Sequence, residues 1–190
     1  MFSFCAPLNT WRILLVAGFC FFLTACAGNR IDLTYSPVGV TMPSENLSIQ
    51  IPDFTSKLSS PRQIGAKSNG ETFEATDSPT AWVSQALTEE LVRSGVQASY
   101  IASGTSNGPV VLTGTLDRLR IEQVGSSEYK VKIAITVQLI NKTARTTFKQ
   151  SFNAEQNTYV LPTDKNLAEL MESTLRDVVV PAALAIKSKL

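Results

Sequence analysis

The stretch Tyr129-Lys130-Val131-Lys132-Ile133-Ala134-Ile135-Thr136-Val137-Gln138-Leu139-Ile140 alternates with a period of two. Tyr129, Val131, Ile133, Ile135, Val137 and Leu139 fall on one side, and Lys130, Lys132, Thr136 and Gln138 on the other. Successive side chains of a strand point to opposite faces, so this run predicts a strand with one buried face and one face open to water. Val110 to Gln123 precedes it across Gly125-Ser126-Ser127, and Thr146 to Val160 follows it across Asn141-Lys142-Thr143. Short polar turns between runs of strand-forming residues predict a three-stranded antiparallel meander. In the first run Leu112 and Leu116 share one parity, whereas Leu119 and Ile121 take the other. A one-residue slip would turn half of the apolar set to water, so a bulge is expected at Asp117-Arg118. Phe148 and Phe152 continue the buried face on the third strand.

Two helices flank these strands in sequence. Ser78-Pro79 gives an N-cap and a first-turn proline, Val83, Ala86, Leu87 and Leu91 form a stripe with Trp82 beside it, and Gly95 suits a left-handed C-cap. The second helix begins near Lys165, capped by Thr163 or Asp164, and carries Leu167, Leu170, Met171, Leu175 and Val178 at helical spacing; Pro181 is expected to break or kink it. Leu47-Ser48-Ile49-Gln50-Ile51 reads as a first core strand ended by Pro52-Asp53, and Val96 to Ile101 as a short strand after the first helix. Thr55 to Ser78 is too long for a structureless loop. Asn69-Gly70 suits a type I′ turn, which predicts a hairpin between Ile64-Gly65-Ala66-Lys67 and Thr72-Phe73-Glu74-Ala75. One apolar sheet face and two amphipathic helices together predict an α+β fold, a two-layer sandwich in which a mostly antiparallel sheet carries both helices on one face.

The N-terminal end has a different character. Ile13 to Leu23 is an apolar run preceded by Arg12 as the only charge, and it closes on Leu23-Thr24-Ala25-Cys26. A membrane-spanning helix needs about 20 apolar residues, so this shorter run reads as the core of a signal peptide. A leucine and small residues before a cysteine form a lipobox, which predicts acylation of Cys26 and cleavage just before it. The domain boundaries follow: 1–25 a lipoprotein signal peptide, 26–46 the lipidated cysteine and a tether, 47–190 a single periplasmic α+β domain. Within the tether, Ile31, Leu33 and Tyr35 alternate, so this piece either stays flexible or pairs at a sheet edge. Bacterial lipoprotein signals of this kind carry three acyl chains, more than the single chain that binds only marginally. In the bacterial lipoprotein signals that this stretch resembles, an aspartate directly after the cysteine retains the protein at the inner membrane; Ala27 and Gly28 stand there instead, so the resemblance implies the outer membrane, its periplasmic face.

The chain of 190 residues holds 17 basic and 16 acidic side chains, no histidine and three cysteines. Arg12 is the one charge lost with the signal, so the mature chain is balanced and offers no basic excess for nucleic acid. Cys5 and Cys20 leave with the signal. The missing histidine removes Ser-His-Asp and Cys-His catalysis and the usual zinc sites. Asp117 and Glu122 are the best candidates for a carboxylate pair of the glycosidase kind, but beside Arg118 and Arg120 they read as a solvated face. Glu89-Glu90 on the first helix reads the same way. Lys130, Lys132 and Lys149 form a possible basic stripe for anionic glycan or lipid heads, or a guard against edge pairing. Gly104 to Gly108 lies between strands, out of context for a phosphate loop. The expectation is therefore no enzyme, no catalytic, cofactor-binding or metal residues, and no cofactor, with Cys26 as the only functional residue.

With the lipobox, the helix WVSQALTEELVRSGV, the strands VVLTGTLDRLRIEQV, YKVKIAITVQLINK and TTFKQSFNAEQ and the helix DKNLAELMESTLRDVV in this order, the chain resembles the YajG-type lipoproteins. That resemblance implies an outer-membrane lipoprotein without enzymatic role and without catalytic residues. Two functions are expected from it and from the residues: a structural or interaction module holding an envelope protein partner through its sheet edge or open face, or the auxiliary lipoprotein of an ABC-type lipid transport system.

Overall fold

The computed structural model describes residues 29–42, 48–102, 106–159 and 163–190. Cys26 and the expected signal segment, Leu47, Gly104 and Val160 lie outside them. Strands β1 (Asn29–Ile31), β2 (Ser48–Pro52), β3 (Thr55–Ser56), β4 (Gln63–Ala66) and β5 (Thr72–Ala75) precede helix α1 (Pro79–Arg93). Strands β6 (Gln97–Ile101), β7 (Val110–Gln123), β8 (Glu128–Asn141) and β9 (Thr146–Tyr159) then lead to helix α2 (Asp164–Lys187).

The meander forms as the alternation requires. β8 pairs antiparallel with β7 on one edge and with β9 on the other, the second pairing without interruption from Glu128↔Tyr159 to Asn141↔Thr146. All six apolar positions from Tyr129 to Leu139 are buried. Register shifts between Leu116 and Arg118, so Asp117 is the extra residue and Leu116, Leu119 and Ile121 all face the core. Phe148 and Phe152 are half-buried against that core.

The other edge of β7 departs from expectation. Three short strands dock on it in parallel, one after another: β2 at Val110 and Val111, β3 at Thr115 and Leu116, β4 at Ile121 and Glu122. Near one end the sheet continues from β2 to β6 in parallel, and near the other from β4 through β5 to β1. The fold is α+β, but the mostly antiparallel two-layer sandwich is corrected to a mixed sheet that forks along β7. The physical reason is length: a strand of 14 residues has an edge long enough to satisfy the backbone groups of several short strands, whatever their direction.

Glycines permit two of these close approaches. A Cβ on Gly65 would lie 2.0 Å from the carbonyl oxygen of Ile121, its partner on β7, and one on Gly114 would meet the Phe54 ring at 2.2 Å.

The hairpin of β4 and β5 is present, with a different turn. Only Gly70 takes a positive φ, of 89°; the Gly70 N–H donates to Lys67 O and the Lys67 N–H to Glu71 O, and Asn69 Oδ1 accepts from the Glu71 N–H. A three-residue loop closed by a left-handed glycine replaces the type I′ turn, because the asparagine side chain satisfies the backbone without entering the left-handed region.

Helix α1 begins at Ser78, whose Oγ accepts from Ala81 N, and ends in a Schellman motif, with Val96 N donating to Leu91 O and Gly95 N to Val92 O. Helix α2 is capped by Thr163 and runs through Pro181 to Lys187, so the proline does not end it. Ala182, Ala183 and Ile186 beyond it are buried, and their burial offsets the backbone hydrogen bond that proline cannot donate. The helices end together: Lys187 Nζ donates to Ser94 O at 2.6 Å, a cation placed at the negative end of α1.

The described part of the expected tether follows its edge-pairing alternative. β1 pairs in parallel with β5, Ile31 and Leu33 are buried, and Trp82 Nε1 donates to Thr34 O. Met42 N donates to Arg93 O, so residues 34–42 lie along α1 from its first turn to its last.

Candidate functional site

The sequence singled out the open face of the meander, and there the charges are matched. Lys130 Nζ lies 3.0 Å from Glu155 Oε1, and Lys132 Nζ lies 3.5 Å from Glu122 and 3.8 Å from Glu155. Arg120 Nε lies 2.9 Å from Glu122. Cross-strand pairing builds this ladder, since Lys130 faces Glu122 on β7 and Lys132 faces Glu155 on β9. The hydrogen bond with Glu155 raises the pKa of Lys130, and that from Lys130 lowers that of Glu155. Two of the three lysines of the expected basic stripe are thus neutralised within the sheet, while Lys149 is exposed.

Asp117 and Glu122 do not form a working pair. Asp117, carried out of the ladder by the bulge, accepts from Lys57 Nζ at 2.5 Å and from Thr136 Oγ1 at 2.6 Å. Partial burial works against its charge, but these two hydrogen bonds, together with the positive charges of Lys57 and Lys149, outweigh it and hold the carboxyl below the usual aspartate range. Glu122 is held by Arg120 and Lys132. A groove of about 270 Å³ on this face is lined by Asp117, Arg118, Lys132, Asn153 and Glu155, without Glu122. A general acid needs a carboxyl lifted toward neutrality; Asp117 is moved the other way.

The helix carboxylates divide. Glu89 is exposed as expected, whereas Glu90 is buried at 1% exposure, which corrects its reading as part of a solvated face. Its charge is met by Arg93, with Nη2 at 2.5 Å and Nε at 2.7 Å, and by Tyr35, whose hydroxyl donates at 2.5 Å. Burial, and then the Glu90 contact, raise the pKa of the Tyr35 hydroxyl far above the usual phenol range. Arg176 lies over the Tyr35 ring, pairs with Glu172 at 2.8 Å and donates to Ser36 O. This cluster fastens residues 35 and 36 to both helices. It was not legible locally, because Tyr35 and Glu90 are far apart in sequence and each alone looks like a surface residue.

The strand registers also define one end of the molecule. Asn29 pairs with Phe73, Phe73 with Gly65, Gly65 with Ile121, Ile121 with Val131, and Val131 with Gln156, a single row across six strands. On the side of that row toward which the chain runs back from Asn29 lie the Asn69-Gly70 turn, the turn at Val124 to Ser127, and Tyr159. Val124 and Tyr159 are exposed there. Cys26 precedes Asn29 by three residues, a span of at most about 10 Å of chain. Among the described residues no group of three or more potential ligands is placed to hold a metal ion, and no helix is long and apolar enough to cross a membrane.

This arrangement, a forked mixed sheet with two helices, is shared with solved structures. A crystal structure of protein XCC0632 from Xanthomonas campestris, described with the family DUF330, aligns with a TM-score of 0.61 at 13% identity, over 81% of this chain and 91% of that one. A second crystal structure, of a protein described as uncharacterized, aligns with a TM-score of 0.59 at 11% identity, over 83% of this chain and 99% of that one. A PelC dodecamer from Paraburkholderia phytofirmans gives 0.46 at 12% identity, over 77% and 92%. The first two show the fold. No family model matches the chain, and no curated protein does.

Proposed function

We propose that the chain is an outer-membrane lipoprotein of the YajG type, acylated on Cys26, whose periplasmic domain is a non-enzymatic module that holds an envelope protein. The observation that carries this reading is the spacing between Cys26 and β1. Among the described residues strand pairing is already in place at Asn29, so cleavage before Cys26 would remove nothing that the described core uses, and three residues of chain, at most about 10 Å, would link the acylated residue to the sheet. The domain therefore rests close to the lipid surface, with the end bearing the Asn69-Gly70 turn, Val124 and Tyr159 toward it and the Asn141–Arg145 turn away. The charge-matched open face fits a polar protein surface better than an anionic glycan or lipid.

Mass spectrometry of the protein isolated from membranes tests the anchor. The expected N-terminus is a triacylated Cys26, and Cys26→Ser accumulates as unprocessed precursor; a mature form that begins elsewhere or lacks acyl mass overturns the reading. Photo-crosslinking in intact cells tests the module. An envelope protein neighbour supports it, crosslinks to an ATPase–permease assembly favour the lipid-transport alternative, and substrate cleavage by the purified protein that Asp117→Asn abolishes overturns it.

A further inference from the structure

The described sheet has four strands with a single partner: β1 pairs only with β5, β3 only with β7, β6 only with β2, and β9 only with β8. β1, β3 and β6 have 3, 2 and 5 residues, and shortness is one of the ways in which proteins blunt a sheet edge. β9 has 14 residues, no proline and no bulge, and its only charged side chains are Lys149 and Glu155. Every one of its residues is exposed or half-exposed. A straight edge of this length presents a row of unpaired backbone donors and acceptors and calls for a strand.

We propose that this strand is β9 of a second copy of the chain, antiparallel and centred on Phe152. The faces restrict the choice. Phe148, Phe152, Ala154 and Gln156 lie on the helix side of β9, Lys149, Asn153 and Glu155 on the open side, and a continuous sheet requires like faces to meet. Two registers then overlap nearly the whole strand, one centred on Phe152 and one on Asn153. Centred on Asn153, Lys149 meets Asn157 and Glu155 meets Ser151. Centred on Phe152, Lys149 of each copy meets Glu155 of the other, twice over by symmetry, and the two Phe152 rings meet on the helix side. Opposite charges directly across a strand pair are favourable and like charges unfavourable, so this register is selected. It also engages Lys149, the lysine of the expected basic stripe that lies outside the ladder of ion pairs.

The test uses the full chain in detergent, followed by sedimentation and light scattering. Wild type is expected to be dimeric, with β9 amide hydrogens exchanging more slowly as protein concentration rises. Lys149→Glu places glutamate against glutamate and Glu155→Lys lysine against lysine, so each variant alone is expected to dimerise at least about tenfold more weakly. Mixed together they restore both pairs, and the mixture is expected to form a heterodimer. Circular dichroism establishes that each variant is folded; should Glu155→Lys not fold beside Lys130 and Lys132, the concentration dependence of amide exchange in wild type and Lys149→Glu decides. A monomeric wild type overturns the proposal, including one that captures a foreign strand in cells. Dimers that survive both charge reversals, or folded variants whose mixture stays monomeric, overturn it as well.

Discussion

The two edges of β7 were built by different rules. Toward β8 the partner is the next segment of chain, joined by a short turn and aligned by alternation, so the pairing follows from neighbours in sequence. Toward the other side the partners are β2, β3 and β4, drawn from residues 48–66 and laid end to end in parallel. Parallel strands cannot be joined by a hairpin, and their order depends on where the intervening chain travels. The contrast separates what alternation controls from what close approach controls: the first edge depends on apolar side chains kept in phase by one bulge, the second on glycines.

Substitution of a central apolar residue probes the first edge and has the largest expected effect. Ile135, fully buried in the middle of β8, should cost about 2–5 kcal/mol as Ile135→Ala in urea unfolding. Its neighbour Thr136 faces the open side but donates to Asp117, so Thr136→Ala should cost about 0.5–1.5 kcal/mol, more than a bare surface position. Equal losses at the two sites would break the assignment of faces.

Gly65→Ala probes the second edge. The added methyl would meet the Ile121 carbonyl at 2.0 Å, and backbone cannot rotate aside as a side chain can. A loss of about 1–3 kcal/mol is expected. Hydrogen exchange should speed up in β4 and β5 while β8 and β9 stay protected. Uniform loss of protection would show that the two edges do not act separately.

The smallest effect concerns the bulge, where both edges meet. Asp117 is held below its ordinary range because the Lys57 and Thr136 hydrogen bonds, with the charges of Lys57 and Lys149, outweigh its partial burial. A lowered carboxylate pKa contributes stability that is present above the unfolded value of about 3.9 and is lost as pH falls through the folded value. Lys57 is well exposed, so the contribution is small. Carbon-detected NMR titration should place the Asp117 carboxyl below the unfolded value in wild type and nearer to it in Lys57→Met; no difference would remove Lys57 from the bulge.

Much of this was legible because it is local. The Asp117 bulge followed from the parity change between Leu116 and Leu119, and the helix starts from Ser78-Pro79 and Thr163. Pro181 misled because a proline reads as a breaker wherever it stands, while the burial of Ala182, Ala183 and Ile186 becomes visible only once the sheet is beneath them. Asn69-Gly70 marked the turn but not its type, since the two solutions differ only in whether the asparagine backbone or its side chain makes the bend. Of the candidate site residues, Asp117, Glu122, Lys130 and Lys132 share the open face as expected, but their pairing into a ladder required the registers of three strands. Glu90 was misread because its partner Tyr35 comes from a segment whose alternation fitted a tether as well as a strand.

By itself the sequence determined the periodic elements, the face each one buries and the absence of histidine chemistry, because these depend on side-chain identity at fixed local spacing. The tertiary structure alone decided the parallel docking of short strands along β7, the burial of Glu90 with Arg93 and Tyr35, and the bare edge of β9. Each of these depends on which distant segment arrives beside a given backbone, and a period of two or of 3.6 residues carries no record of that.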